Sequence, residues 1–272
     1  MRQNTLVNGL SAITAGTTAT ARLTPGRRYH GLTLFTTSGS TPAACVASTI
    51  IGEIRLIVGT KTIRKITAAQ ILAIAALNKI TVPTGELPIF FSEPWRASVM
   101  GEEATSWDLT QIPGTPFIIQ IDMLTGTTNP GVVIVEHWDK LTNVDQNKKP
   151  FLEIVYQSSL FKNVATGDQD ITEIDIDHFI QRILFTAGSG ITKALVVRDG
   201  ETVHELTKTQ NDDMLNDHGL VGSAFDYALV FDYTQQVTDA LSIAKSLDVR
   251  VTSGGTQTLT ALIERRKQDF NS

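Results

Sequence analysis

The sequence predicts an all-β protein built from two similar domains of the sandwich or jelly-roll type. Short runs of β-branched and aromatic residues, bounded by Gly, Pro, Ser and Thr, follow one another along the whole chain without alternating helices. A pattern of turn, strand and helix start near residue 60 also recurs near residue 200. With 272 residues, the chain is long enough for two domains that each bury a core.

The predicted strands divide evenly between the two halves of the chain. In the first half they are TATARL, YHGLTLFT, GEIRLIV, KTIRKI, LPIFF, PFIIQIDML and GVVIVEHW. In the second half they are FLEIVYQ, ITEIDI, FIQRILFT, KALVV, ETVHEL, YALVFDYT, LDVRV and TLTALIE. About seven or eight strands in each half are enough for one sandwich or jelly roll per half.

The repeated pattern is Thr62–Gln70, which matches Thr202–Gln210 at its Thr, apolar and Gln positions. A glycine lies just upstream of each copy, Gly59 in the first and Gly200 in the second, as expected for a hairpin turn. Each copy ends in Thr-x-x-Gln, a capping box in which the Thr hydroxyl accepts from the backbone three residues on and the Gln side chain returns the bond. A helix should therefore begin at both places.

The two predicted helices cover residues 67 to about 78 and 207 to about 217. The first is rich in Ala, Leu and Ile, and the second is polar and stops before Gly219. Upstream of them, LFTTSGS at residues 34–40 recurs as LFTAGSG at residues 184–190. Chance similarity between β-rich segments is the alternative, but the shared order and cap chemistry favour an internal duplication.

Charge and proline place a domain boundary near residue 150. Residues 1–150 carry 13 Lys and Arg against 10 Asp and Glu, a net charge of +3, and residues 151–272 carry 10 against 18, a net charge of −8. All nine prolines lie at or before Pro150, and the polar segment WDKLTNVDQNKKP has no hydrophobic periodicity. We therefore predict an N-terminal arm (1–16), a first domain (17–140), a linker (141–150) and a second domain (151–272).

Composition and motifs argue against several classes of protein. No apolar run approaches the roughly 20 residues of a membrane span, because AAQILAIAAL has only ten. Asn, Ser, Thr and Gly interrupt the N-terminal stretch, which therefore does not match a signal peptide. The single Cys45 forms no internal disulfide. The acidic second half lacks the clustered Lys and Arg that a nucleic-acid surface needs, and we predict no direct contact with nucleic acid.

The motifs of common enzymes do not occur in the sequence. The loop GSGITK at residues 188–193 lacks the spacer and the Lys-Ser/Thr ending of a phosphate-binding loop. There is no Gly-x-Ser-x-Gly and no His-Glu-x-x-His sequence. The five histidines are scattered and include no His-x-His pair of a metal-binding barrel. We predict a protein that is not an enzyme and holds no cofactor.

An acidic stretch in the second half leaves two interpretations open. In TEIDID, the carboxylates of Glu173, Asp175 and Asp177 alternate with isoleucines, which places them on one face of a predicted strand. A solvated strand face is the preferred interpretation. A structural calcium site is the alternative, since calcium is bound by several oxygen ligands.

The order of elements resembles that of a known family. Two tandem eight-stranded jelly rolls of similar size, each with a short helix inserted after a β-hairpin, look like the double jelly-roll major capsid proteins of tailless icosahedral viruses with an internal membrane. This is the lineage of the adenovirus hexon, and the corticovirus layout is especially similar. The segment LFKNVATGDQDITEI at residues 160–174 is similar to the opening of that family's second barrel. The resemblance runs from about Thr18 to Lys267 and rests on size, order and spacing.

The resemblance implies a role in assembly. Proteins of this kind form trimers with a pseudo-hexagonal outline, which tile an icosahedral lattice over a lipid vesicle. The implied partners are the chain itself as a homotrimer, neighbouring capsomers, penton or minor capsid and membrane proteins, and the lipid surface at the base. Residues 1–16 suit an arm that orders on a partner. Arg265, Arg266 and Lys267 are candidates for contact with the membrane or a neighbour, and the alternative is that they solvate the end of the last strand.

These observations predict a viral structural protein. It would be the major capsid subunit of the virion, made in the host cytoplasm, with the opposite charges of its halves favouring contact between unlike domains. The alternative function is a carbohydrate-binding or host-attachment protein made of two β-sandwich domains. In that case Trp95, Trp107 and Trp138 would form a sugar-stacking platform, whereas the first interpretation makes them core or interface anchors.

Overall fold

The computed structural model describes residues 1–11, 13–145, 147–174, 179–187, 190–236, 239–242, 245–268 and 270. Strands make up most of the regular structure, so the all-β prediction is confirmed. The longest helices in this described part have ten residues, and none of them is long and apolar enough to cross a membrane.

The first half contributes these strands and helices in chain order: β1 (Gln3–Leu6), β2 (Thr18–Leu23), β3 (Arg28–Ser38), β4 (Ala43–Ala44), β5 (Ile51–Val58), β6 (Lys61–Thr67), α1 (Ala68–Leu77), β7 (Glu86–Phe90), α2 (Val99–Ala104), β8 (Trp107–Asp108), β9 (Phe117–Met123) and β10 (Gly131–Asp139). The second half contributes β11 (Ile154–Val164), β12 (Gly167–Ile171), β13 (Phe179–Ala187), β14 (Ile191–Arg198), β15 (Glu201–Thr207), α3 (Lys208–Asp217), β16 (Tyr227–Val230), β17 (Leu247–Ser253) and β18 (Gln257–Lys267).

The chain forms two compact units. The first unit takes in residues 1–75, 81–155 and 267–272, and the second takes in residues 76–80 and 156–266. Each unit therefore contains a short piece from the other half of the chain. The start of β11 belongs to the first unit, and the end of α1 belongs to the second.

Two antiparallel sheets form the first unit. One sheet has the strand order β6-β5-β9-β2. In the other, β10 pairs with β1 on one side and β3 on the other, and β3 also pairs with β4, β7 and β8. Along β9 the buried residues Phe117, Ile119 and Ile121 alternate with partly exposed ones, which gives the sheet one apolar inner face.

The second unit repeats the main strands of this arrangement, without counterparts of β4 and β8 in the part of the chain that the structure describes. One sheet has the order β12-β17-β14-β15, and the other has the order β16-β13-β18-β11. Thus β12, β13, β14, β15, α3, β16, β17 and β18 correspond to β2, β3, β5, β6, α1, β7, β9 and β10. The predicted tandem jelly rolls, each with an inserted helix, are confirmed, and their sheets are not closed into barrels.

The repeat extends to the details of one hairpin. Gly59 in the β5–β6 turn has φ 65°, and Asp199 and Gly200 in the β14–β15 turn have φ 50° and 87°. These left-handed conformations are the ones that two-residue hairpin turns require. After each turn the register shifts by one residue, which leaves a β-bulge at Ile63 in the first hairpin and at Val203 in the second. The two turns differ in type, because φ is positive only at Gly59 in the first and at both Asp199 and Gly200 in the second, but the shared two-residue length and the shared bulge support the duplication inferred from the sequence.

Both predicted capping boxes are present. The Thr67 amide donates to Gln70 Oε1 at 2.9 Å, and the Gln70 amide donates to Thr67 Oγ1 at 3.2 Å. The corresponding distances between Thr207 and Gln210 are 3.0 Å and 3.4 Å. As predicted, α3 ends before Gly219, which has φ 83°.

The cores of the two units differ in composition. In the first unit Phe91 stacks on Trp107 at 4.4 Å between ring centroids, and Tyr29 meets Phe117 edge to face at 5.1 Å. The second unit has a mainly aliphatic core of Ile, Val and Leu residues. Trp107 and Trp138 are both buried, so they are core residues and do not form a sugar-stacking platform.

Some segments differ from the sequence prediction. Residues 3–6, predicted to lie in an arm that orders only on a partner, pair with β10 of the same chain. The predicted strand ITEIDI begins at Ile171, but in the structure β12 ends at that residue. Glu173 lies after the end of β12, so the prediction of a strand there is wrong. The sequence analysis did not predict α2, β4 or β8, which are too short to leave a periodic pattern.

Candidate assembly surfaces

The N-terminal strand is fastened to the first unit by side chains as well as by the β1–β10 ladder. Thr5 Oγ1 donates to Glu136 Oε2 at 3.2 Å and accepts from Trp138 Nε1 at 2.9 Å. Arg2 donates to Glu102 at 2.8 Å and to Glu103 at 3.1 Å, both on α2. The beginning of the chain is therefore held on the surface of its own first unit.

A buried glutamate organises the residues beneath β1. Glu136 accepts from the Arg27 guanidinium and, at 3.0 Å, from the Tyr29 hydroxyl. Burial and the Glu136 carboxylate raise the pKa of Tyr29, which keeps its hydroxyl protonated as a donor. The Arg27 guanidinium also lies 3.6 Å from the centre of the Trp138 ring, within the range of a cation–π contact.

A second buried cluster surrounds Asp139 at the end of β10. Arg28 donates to both carboxylate oxygens, at 2.9 Å and 2.6 Å, and His30 Nε2 lies 3.0 Å from one of them. Burial opposes ionisation of Asp139, but the bonds from Arg28 and His30 outweigh it and hold its pKa at about 2. Burial lowers the pKa of His30. Asn143 extends the cluster. Its side-chain oxygen accepts from Arg28 at 3.0 Å, and its main-chain amide donates to Asp108 at 2.8 Å.

Sequence reasoning missed both clusters. Residues 138–150 lack hydrophobic periodicity, so they were interpreted as linker-like, yet Trp138, Asp139 and Asn143 are buried. One available signal was the alternation in β10. It places Glu136 in phase with the buried Val132 and Ile134, and a charged residue at an inward position indicates a buried polar partner.

The outer face of the β1–β10–β3 sheet carries exposed apolar side chains. Val133 of β10 is directly opposite Phe35 of β3, and these residues are 50% and 40% exposed. Leu6 of β1 is 62% exposed and is opposite Val135 on the same face. A group of apolar side chains on a sheet face is a candidate surface for contact with another protein chain.

The paired hairpins of the two units carry the same ion pair with reversed charges. On the β5–β6 hairpin, Lys65 Nζ lies 3.3 Å from Glu53 Oε2. On the β14–β15 hairpin, Lys193 Nζ lies 2.7 Å from Glu205 Oε1. Each residue of the second pair is 140 positions after its counterpart of opposite charge. Exposed ion pairs contribute little to stability, so their reversal matters mainly for the potential of each surface.

The candidate calcium ligands are only partly described. Glu173 is exposed and accepts from Lys162 Nζ at 2.8 Å and 3.0 Å, and the bond from Lys162 lowers its pKa. Asp175 and Asp177 lie outside the described residues, so the calcium site stays a prediction. Among the residues that are described, there is no group of three or more His, Cys, Asp or Glu side chains suited to a metal ion.

The basic triplet lies at the end of β18. Arg265 donates to Ser158 Oγ at 3.0 Å and is partly buried, Arg266 is 6% exposed, and Lys267 is partly exposed. Arg266 therefore has little surface left for lipid headgroups in the single chain. A contact of the triplet with a membrane or a neighbour stays a prediction, and Arg265 and Lys267 are the members with accessible surface.

Two tandem jelly rolls with matching hairpins, and an apolar outer strand face, define the class of double jelly-roll capsid proteins. The sequence matches the family model "Viral coat protein P2 N-terminal domain" over residues 4–138 and "Viral coat protein P2 C-terminal domain" over residues 154–268. The chain therefore belongs to the viral coat protein P2 family. It is a structural, non-enzymatic protein of the virion capsid, where it assembles with other copies of itself.

Solved structures with the same fold come from several viruses. The major capsid protein P2 from bacteriophage PM2 is similar with a TM-score of 0.87 and 16% identity, covering 100% of this chain and 99% of that one. A chain of Sulfolobus turreted icosahedral virus gives 0.67 and 10% identity, covering 97% and 90%. VP54 of PBCV-1 gives 0.64 and 9%, covering 98% and 93%. A search of curated protein sequences finds no match.

Proposed function

We propose that this chain is a major capsid subunit, that three copies form a capsomer with a pseudo-hexagonal outline, and that these capsomers cover an internal membrane. The observation that carries the proposal is the duplication of the jelly roll within one chain. Three copies then supply six similar units, which is the number a six-sided capsomer needs. Closed symmetry of this kind limits growth of the oligomer to three chains.

The surfaces of the chain support self-association. The apolar face around Leu6, Phe35 and Val133 would lose contact with water when a second copy covers it, which favours association. The net charges of +3 for residues 1–150 and −8 for residues 151–272 favour contact between unlike units of different copies. Neither feature would help a monomeric carbohydrate-binding protein.

The remaining partners follow from the family resemblance. They are neighbouring capsomers, penton or minor capsid proteins, and the lipid surface beneath the capsid. The partly exposed Arg265 and Lys267 support contact with anionic headgroups, each charge contributing about 1 kcal/mol near such a surface. We expect purified capsomers to float with anionic vesicles and Lys267→Glu to reduce this binding. Equal flotation of the variant would show that Lys267 does not contribute to the membrane contact.

The oligomeric state tests the proposal directly. Light scattering on the purified protein should give a mass of three times 29.6 kDa, stable on dilution. A monomer under all buffer conditions would contradict the proposal and favour the attachment or carbohydrate-binding alternative.

A pair of variants tests whether the apolar face contributes. Val133→Asp places a charge in that face and should weaken the trimer by roughly tenfold or more, because a buried unpaired charge opposes association. Val46→Asp is the matched control, since Val46 is similarly exposed and lies in a loop. Equal trimer stability in the two variants would show that the Val133 face is not a contact surface.

A further inference from the structure

The two equivalent hairpins differ in how much of them is covered. Ile63, the bulge residue of β6, is 1% exposed, whereas its counterpart Val203 in β15 is 39% exposed. Arg64 is likewise buried, and its counterpart His204 is only half-buried. The turn length, the position of the bulge and the cap are the same in both hairpins, so the difference in exposure comes from what lies against each strand.

In the first unit, the beginning of β11 lies against β6. Arg64 Nε donates to the main-chain oxygen of Val155 at 3.0 Å, and another nitrogen of the same guanidinium donates to the oxygen of Phe90. Val155 belongs to the first unit and is the second residue of β11. In the described part of the chain, the corresponding strand of the second unit, β15, pairs with β14 alone.

The counterpart of β11 in the duplicated chain is β1. β11 precedes β12 and pairs with β18, just as β1 precedes β2 and pairs with β10. Across the described residues β1 has no other strand partner. The Val7 amide donates to the Ile134 oxygen at 2.9 Å, and because amides alternate along a strand, the Leu6 amide points away from β10. β1 therefore has an open edge that can donate to another strand.

We propose that the open edge of β1 in one copy of this chain docks on the open edge of β15 in a second copy. The inference rests on the proposed function, because in a trimer each chain gives one β1 and receives one on its β15, which closes a ring. It goes beyond that function by naming the two strands that join the copies. Strand addition at a sheet edge supplies main-chain hydrogen bonds, and alternate side chains give specificity.

The charges of the strands support this choice of partner. Lys65 of β6 is replaced by Glu205 in β15, and the first residue of each strand is likewise Lys in β6 and Glu in β15. The residues just before the two docking strands have the opposite pattern of charge. An acidic residue, Glu153, precedes β11, and a basic residue, Arg2, precedes β1. The acidic β15 edge therefore has the opposite charge to Arg2 of a second copy, which in the single chain pairs with Glu102 and Glu103 of α2.

A groove beside β15 provides apolar surface for the docked strand. It has a volume of about 320 Å³, and its lining includes Val203, His204, Leu206, Met214, Phe231 and Tyr233. An incoming Leu6, which is exposed in the single chain, is an apolar side chain of β1 suited to such a groove. The exposed edge and the groove are adjacent, so one strand can use both.

Two substitutions at one position separate the main-chain contact from the side chain. Leu6→Pro removes the outward amide and leaves the β1–β10 bonds in place, because proline is tolerated at a sheet edge. Leu6→Ala shortens the side chain but keeps the amide. We expect Leu6→Pro to raise the trimer dissociation constant at least roughly tenfold over Leu6→Ala, since one hydrogen bond is lost at each of three contacts. Light scattering over a dilution series measures this.

A second pair of variants tests the receiving strand. Val203→Asp places a charge in the groove and should dissociate the trimer, while Val46→Asp should not, although Val46 is 47% exposed against 39% for Val203. Hydrogen exchange adds a direct readout: those amides of residues 201–207 that point away from β14 should be protected in the wild-type trimer and exchange in the Leu6→Pro protein. An unchanged circular dichroism spectrum shows that the chain still folds.

The outcomes distinguish this inference from the function on which it rests. A stable wild-type trimer that is unaffected by both Leu6→Pro and Val203→Asp would overturn the β1–β15 contact and leave the capsomer intact as a proposal. A wild-type chain that stays monomeric would overturn the proposed function and this contact together. Loss of the trimer in Val46→Asp to the same degree as in Val203→Asp would also count against the contact.

Discussion

At the scale of single residues, the first unit depends on buried carboxylates that each receive several donors. Glu136 and Asp139 are 2% exposed, and a carboxylate at that depth is stable in its charged form only when it is paired and hydrogen-bonded. Arg27, Tyr29, Arg28 and His30 provide the donors. Removing either carboxylate would take away the main ion-pair partner of an arginine, Arg27 for Glu136 and Arg28 for Asp139.

Asp139 should make the first unit sensitive to acid. Its pKa is about 2 in the folded chain against 3.8 in the unfolded chain, so its stabilising effect is complete above about pH 4 and is lost as the pH falls through 2. The expected loss is about 2 kcal/mol. All three tryptophans lie in the first unit, so tryptophan fluorescence during urea unfolding reports on this unit.

The variant Asp139→Asn provides the control for that titration. It should lower the free energy of unfolding at pH 7 by about 3 kcal/mol, because the buried Arg28 loses the carboxylate that binds it through two oxygens and keeps only Glu103, 3.3 Å away, as an ion-pair partner. Its unfolding free energy should then fall less steeply than that of the wild type between pH 4 and 2. The same acid dependence in both proteins would show that Asp139 is not the group responsible.

His204 should give the second unit a different pH dependence. Burial lowers its pKa to about 4, and its Nε2 lies 3.0 Å from the Tyr227 hydroxyl. As the pH falls from 6.5 towards 4, the unfolded chain binds a proton that the folded chain does not, and stability decreases by up to about 3 kcal/mol. Hydrogen exchange of second-unit amides should show this decrease, and His204→Gln should reduce it. An unchanged slope in the variant would contradict this assignment.

At the scale of elements, the hairpins and helix starts were predictable because their signals are local. A turn glycine, a β-bulge and a Thr-x-x-Gln cap involve residues a few positions apart, and both copies fold as the sequence indicates. The carboxylate clusters were not predictable in the same way. Arg28 and Asp139 are 111 residues apart in the chain, and the sequence around either residue does not indicate that the other is its partner.

The two capped helices should respond differently to loss of the cap. α1 buries Ile71, Ile74 and Leu77, whereas the described burial of α3 is limited to Asn211 and Leu215. Thr67→Ala and Thr207→Ala should each cost about 1 kcal/mol. Because α3 has less packing to retain it, its amides should exchange faster in Thr207→Ala than those of α1 do in Thr67→Ala.

Hydrogen exchange with mass spectrometry on the two variants gives this comparison directly. Equal protection factors in α1 and α3 would show that packing does not decide the response. Slower exchange in α3 than in α1 would show that the polar helix depends on contacts other than its cap.

At the scale of the whole molecule, the duplicated jelly roll was predictable and the contacts between copies were not. The order of strands and caps repeats in the sequence, so it predicted the fold and the class of protein. The β1 strand was hidden by its polar composition, QNTL, and was interpreted as part of an arm. The open edges of β1 and β15 were found only once the pairing of strands was known.

The reversed charges on equivalent hairpins affect contacts between copies of the chain more than the stability of one copy. Within each unit the pairs Lys65–Glu53 and Glu205–Lys193 lie at equivalent positions of the hairpin, and as exposed ion pairs they each have a small effect on stability. Between copies, the exchange of Lys and Glu gives the two equivalent hairpins different electrostatic potentials at their surfaces. A ring of three chains can therefore place unlike units next to each other in a fixed order.

The central claim is that three chains with two similar units each form one six-sided capsomer. Averaged electron micrographs of the species that light scattering identifies as a trimer test it most directly. We predict a particle with three-fold symmetry and six lobes of similar size around its edge. A particle of that mass with three lobes, or an open chain of subunits without three-fold symmetry, would contradict the account.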